Sequence, residues 1–314
     1  MDETRRNLIK GMLTSGTLLA FGIPTVSQAM SISQTLSDST RNCQLLLGNT
    51  PIDEAFARGA QAACTSYINH HQSVLPAFKL EDELLTNPLR IVDLLTQSRN
   101  MRWIAVMDHA SAAIFTELVR NLEGRLLSLG SHSSSGDDTS FPNRHIWTTA
   151  ASMYSAGGLL ASLLFENRQD FFIVENFLEQ MMGESAIKSP LLAGFATYQR
   201  VAQPATRLHC AGVSPQEASR IIGWKASEKW KSISFHADQS SAYHDKTASD
   251  AAIKHPQFDN WIEATGYAVV ASALGMGINQ QPCASCAFVH RSDQRNPDHR
   301  GLPGKHFVSF VIDV

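Results

Sequence analysis

The 314-residue chain lacks the motifs that announce familiar chemistries. It has no GxSxG nucleophile elbow, no HExxH zinc helix, no Walker A loop and no GxGxxG fingerprint. Gly275-Met276-Gly277 is too short to cradle a phosphate. Aromatic residues are 8% and charged residues 18%, and the formal net charge is −3, so no basic excess is present. Sequence-independent nucleic-acid binding needs such an excess, so nucleic acid is excluded as a partner class. No apolar run approaches the roughly 20 residues that span a bilayer, so no stable transmembrane anchor is expected. Internal repeats, coiled-coil heptads and long low-complexity tracts are missing as well.

The first 29 residues have their own pattern. Arg5, Arg6 and Lys10 form a basic start, and Gly11 to Pro24 is a short apolar run diluted by Thr14, Ser15, Gly16 and Thr17. Ser27-Gln28-Ala29 is a small-x-small pattern suited to cleavage after Ala29. The run Thr4-Arg5-Arg6-Asn7-Leu8-Ile9-Lys10 resembles the twin-arginine (Tat) export signal, with Leu8 and Ile9 where the usual pattern has Phe and Leu. The resemblance implies the Tat machinery as a partner, a bacterial periplasmic or secreted location, and a chain that folds before it crosses. Residues 1–29 are therefore an expected signal peptide. Removing their three basic and two acidic residues leaves 23 Lys+Arg against 27 Asp+Glu, a net charge of −4.

Residues 30–100 read as a helical N-terminal portion punctuated by Pro51, Pro76 and Pro88. Phe56, Ala60, Ala63 and Tyr67 form an apolar stripe at helical spacing, after an expected N-cap at Thr50. Residues 101–314 read as an α/β domain, or as the larger part of one continuous domain from residue 30. Trp103–Met107 is a short apolar run, and Asp108 suits an N-cap. Ile114, Phe115, Leu118, Val119 and Leu122 then mark a helix face, with Gly124 as its expected C-cap and Arg125–Leu129 as a second strand. Strand, helix and strand within about 30 residues make a βαβ unit, whose strands are parallel. Further expected elements are a helix over 149–166, a strand at Phe171–Val174 and helix starts at Ser189-Pro190 and Ser214-Pro215. A long helix over 256–276 and a terminal strand at Phe307–Ile312 complete the reading. The fold class is α/β, with a mainly parallel sheet flanked by helices.

In parallel sheets, ligands gather at the C-terminal ends of the strands. Asp108 and His109 end the first strand, and Gly130-Ser131-His132-Ser133-Ser134-Ser135-Gly136 follows the second, with Arg144 and His145 close behind. Asp108, His109, Ser131, His132 and His145 are thus candidate contacts for a small polar or anionic ligand, bound without any requirement for catalysis. His132 is expected in an exposed loop, where its removal alters stability little.

A second constellation is Cys283-Ala284-Ser285-Cys286, with His290 following and His209-Cys210 remote in sequence. A lone CxxC suits a local disulfide, a redox pair or half of a metal site. Cys283, Cys286, His290 and Cys210 are therefore candidate metal or redox residues. The sequence requires no cofactor, although this donor set would suit zinc or an iron–sulfur cluster. Cys43 and Cys64 are not expected to pair, because in a helical hairpin the register leaves them about 12 Å apart. His70, His71, the group His236, Asp238, His244 and Asp245, and His299, Lys305 and His306 are read as solvated polar positions. An assembly or accessory factor without a small-molecule site is a third reading.

Overall fold

The computed structural model describes residues 42–66, 74–80, 88–135, 143–179, 194–200, 205–225, 230–233, 256–276, 283–293 and 302–314. The expected export signal, His70, His71, Ser189-Pro190, His236, Asp238, His244, Asp245 and His299 lie outside the described residues. Residues Ser39–Val314 form one compact unit.

Among the described residues eleven strands form a single sheet. They are β1 Asn42–Leu47, β2 Ala77–Lys79, β3 Met101–Met107, β4 Arg125–Ser134, β5 Asn143–Thr149, β6 Phe171–Phe177, β7 Ala196–Arg200, β8 Thr206–Ala211, β9 Trp230–Ser232, β10 Ser285–His290 and β11 His306–Asp313. The order across the sheet is β2-β1-β3-β11-β4-β5-β6-β10-β8-β7-β9. Six α-helices are described: α1 Asp53–Ser66, α2 Pro88–Gln97, α3 His109–Asn121, α4 Gly157–Glu166, α5 Pro215–Ile221 and α6 Trp261–Ala273.

The sheet is mixed rather than mainly parallel, which corrects the sequence expectation. Four adjacent pairs are parallel (β1–β2, β1–β3, β5–β6 and β8–β10), and the other six are antiparallel. The cause is long-range. β3 and β4 are parallel to each other, as the βαβ reading requires, but β11 sits antiparallel between them. Their spacing is therefore about 10 Å, two strand separations. Apolar runs mark buried strands in either orientation, so sequence pattern alone does not expose such an insertion.

The N-terminal portion is not all helical. β1 occupies residues expected to be helix, and it pairs with β3 along its whole length. Its run Cys43-Gln44-Leu45-Leu46-Leu47 is too short to distinguish a buried strand from a helix by period. The helix expected over 149–166 also begins later: β5 runs to Thr149, a 3-10 turn covers Ser152–Tyr154, and α4 starts at Gly157. At the end of α3 the left-handed residue is Glu123 (φ 58°), with Gly124 one position beyond. Glu123 N–H donates to Arg120 O and Gly124 N–H to Val119 O, the two bonds of a Schellman ending with a non-glycine residue at its left-handed position.

Side chains alternate across the sheet and divide the core. Phe307 and Val311 face the large core under α1, α4 and α6, whereas Val308, Phe310 and Ile312 face a second core under α2 and α3. A third, smaller core lies under α5, around Leu208, Cys210, Ala287 and Val289. Helices thus cover both faces of the sheet.

Candidate functional site

The five expected ligand contacts divide between the exposed surface and the buried core. Asp108 ends β3 and caps α3, accepting from Ala110 N–H at 2.8 Å, Ser111 N–H at 3.0 Å and the Ser111 hydroxyl at 2.5 Å. Burial raises its pKa, but these hydrogen bonds outweigh it and the net shift is downward. His109 is exposed beside it, with its ring centroid 5.9 Å from that of exposed His306 at the start of β11. Ser131 is exposed on β4 and alternates to the face opposite His132.

His132 and His145 do meet, but inside the core. β4 continues through Ser134, so the expected loop is strand as far as that residue, and both imidazoles are 0% exposed. Their Nδ1 atoms lie 2.9 Å apart, and His132 Nε2 lies 2.8 Å from Ser309 Oγ. Trp147 and Phe307 pack on the His132 ring, and Trp147 and Trp261 on the His145 ring. Burial lowers both pKa values, that of His145 to about 3, so both rings are neutral and share one proton across the Nδ1 contact. Hydroxyl, imidazole and second imidazole stand in the order of a catalytic triad. Ser309 is 0% exposed in the middle of β11, however, so the trio is a core network. His132 is therefore a core residue, not the loop residue expected from sequence.

The cysteine constellation divides as well. Cys283 Sγ and Cys286 Sγ lie 2.9 Å apart at the start of β10. His290 shares the strand face of Cys286 but lies four residues further, about 13 Å at strand rise, and packs against Phe165, Phe171 and Phe195. Cys210 belongs to the core on the opposite face. The four do not converge, and among the described residues no group of three or more His, Cys, Asp or Glu side chains is arranged to hold a metal ion. All five cysteines are buried and none is in a disulfide. Cys43 lies on β1 and Cys64 on α1, so the helical hairpin used to separate them does not form.

The thiol pair sits in a row of polar side chains running across one face of the sheet. Cys286 is opposite Glu175 on β6 and Arg207 on β8. Glu175 is 0% exposed. Its Oε2 accepts from the Ser155 hydroxyl at 2.6 Å, and its Oε1 accepts from Ala156 N–H at 3.0 Å and Gly157 N–H at 2.8 Å. The Ala156 side chain offers no cap to α4, so this carboxylate from a neighbouring strand satisfies its first amides. Burial raises the Glu175 pKa against those three bonds. The Cys286 thiol is pushed well above its ordinary value, first by its hydrogen bond to Cys283, then by burial; the Glu175 charge adds to the rise and Arg207 opposes it. Cys283 is 7% exposed and Cys286 3%.

Sequence reasoning missed Glu175, Arg207 and Ser309. Glu175 and Ser309 each carried a signal: a polar residue at an inward position of a largely apolar strand, in FFIVENF and HFVSFVID. No family model, curated protein or solved structure matches this chain.

Proposed function

We propose that the protein is exported by the Tat route and acts there in thiol–disulfide exchange through Cys283 and Cys286. The supporting observation is the 2.9 Å contact between the two sulfurs, which lets one thiol attack a disulfide formed on the other without a backbone rearrangement. The less buried Cys283 accepts the incoming disulfide, and Cys286, whose thiol is held protonated, resolves it. The reduced mature protein is expected to accelerate dithiothreitol-driven reduction of a peptide disulfide, and Cys283→Ser to abolish that acceleration. A rate no greater than that of dithiothreitol alone removes the exchange reading. The export half is checked by fractionation: Arg5→Lys with Arg6→Lys leaves the precursor in the cytoplasm, because Lys lacks the guanidinium fork. Mature protein in the periplasm of that strain removes the Tat assignment.

The pairing of exposed His109 and His306 supports a second reading, a small-anion site at the strand ends beside Asp108. Inorganic phosphate then shifts the imidazole proton signals of both histidines together and saturably. Unmoved signals end that reading.

A further inference from the structure

Glu175 stands where a buried strand ordinarily carries an apolar residue. It is a central member of β6, between Trp147 on β5 and Cys286 on β10. Directly opposed residues on one face of an antiparallel pair have Cβ atoms about 4.5–5.5 Å apart, which makes Glu175 and Cys286 side-chain neighbours on that face. The groups packed around it are known from each neighbouring element. Ser155 and the first amides of α4 hydrogen-bond it, Cys286 faces it from β10 with Cys283 Sγ 2.9 Å from the Cys286 sulfur, and Arg207 lies on the far side of Cys286 on β8. Trp147 faces it from β5, with His145 two residues earlier on that strand. Among the described residues its hydrogen bonds come from one hydroxyl and two backbone amides, and no cation there locks the group as carboxylate.

The resolving cysteine of a dithiol must lose its proton before it attacks, since the thiolate is the nucleophile. Here that thiol is buried and held protonated, and bulk water is a poor acceptor for it.

We propose that Glu175 accepts the Cys286 proton during closure of the Cys283–Cys286 disulfide, a role that rests on the thiol-exchange reading and goes beyond capping α4. The substrate class is a disulfide R–S–S–R. Cys283 attacks one substrate sulfur; the S–S bond breaks, and the first leaving thiolate takes up the proton from Cys283. Cys286 passes its proton to Glu175 and attacks Cys283 Sγ. The internal disulfide forms as the mixed disulfide breaks, and the second leaving thiolate collects the proton from Glu175. Two electrons and two protons move from the dithiol to the substrate, which leaves as two thiols. Glu175 ends the cycle as a carboxylate, still holding the amides of α4.

Stopped-flow oxidation of the reduced mature protein by saturating glutathione disulfide isolates the closing step. Its rate is followed from about pH 5 to about pH 10 in wild type and in Glu175→Gln. Glutamine keeps an oxygen for the Ala156 and Gly157 amides and so preserves the cap, but it accepts no proton. The expected result is a closure about 100-fold slower in the variant near neutral pH, a size typical of general-base assistance. The deficit narrows as pH rises, because unassisted loss of the Cys286 proton to hydroxide speeds up while the assisted route does not. Equal profiles in the two folded proteins, each ending with an internal disulfide, overturn the role of Glu175 and leave the exchange reading standing. Wild type that ends with glutathione mixed disulfides alone overturns both. Should Glu175→Gln fail to fold, the wild-type profile decides. A plateau through the neutral range supports the relay, whereas a climb of about tenfold per pH unit up to the thiol titration overturns it.

Discussion

Buried imidazoles make the folded state of this protein sensitive to acid. Burial lowers the pKa of His145 and of His209 to about 3, and that of His132 also falls. His209 lies flat against Phe288, with Nδ1 2.9 Å from Thr197 Oγ1. A histidine that stays neutral when folded is protonated on unfolding once the pH drops below about 6.5. The unfolded state then binds more protons, so stability is full above that value and is lost as pH falls toward 3. Each such group contributes a slope of about 1.4 kcal/mol per pH unit inside this window. Urea denaturation between about pH 7.5 and about pH 4.5 is expected to show a steadily falling midpoint. His209→Phe, which keeps a flat ring against Phe288, makes that fall shallower by roughly one histidine's share. A wild-type midpoint that holds constant down to about pH 5 would contradict the buried, neutral assignment.

At the scale of elements, α1 and α6 owe their close packing to two glycines. A Cβ on Gly59 would lie 1.9 Å from Glu263 O, and one on Gly266 would lie 2.3 Å from Phe56 O. Each glycine thus faces the backbone of the other helix, and backbone cannot yield as a long side chain can. Arg58 reinforces the contact by donating to Glu263, with Nε at 2.7 Å from Oε1. Gly266→Ala raises intrinsic helix propensity by about 1 kcal/mol, yet it forces the helices apart. Overpacking of this kind costs about 1–3 kcal/mol, so the substitution is expected to be net destabilising in chemical denaturation. A variant more stable than wild type would show that the helices are not in backbone contact.

The whole molecule is organised by its last strand. β11 joins β3 and β4, whose chain positions precede it by roughly 200 and 180 residues, and it lies near the middle of the region from β1 to β6. Arg102 and Asp313 fasten one end: Nε donates to Oδ1 at 2.7 Å and a second guanidinium nitrogen donates to Oδ2 at 2.9 Å. Both side chains are 4% exposed, so this is a desolvated, bidentate pair whose halves depend on each other. The chain cannot complete either main core before its C-terminal strand arrives. Such long-range pairing is slow to form, because loop closure precedes any gain from the contact.

Local pattern was sufficient to identify β3, α3, the first part of β4, β6, α5 and β11, because each combines a clear hydrophobic period or run with its own boundary residues. Asp108 was legible as an N-cap and Ser214-Pro215 as a helix start, since capping is settled within four residues of chain. Strand direction was not legible: the apolar run of β11 reads alike whether it lies parallel, antiparallel, at an edge or inserted between two earlier strands. Nor was the fate of polar residues within strands. His132 looked like part of a serine-rich loop, and only the length of β4 and its pairing with β5 and β11 turned it inward. The CxxC spacing by itself brought Cys283 and Cys286 near each other. Placing Glu175 on one side of that pair and Arg207 on the other required two strand pairings across distant sequence, because charge and proton affinity depend on neighbours in space.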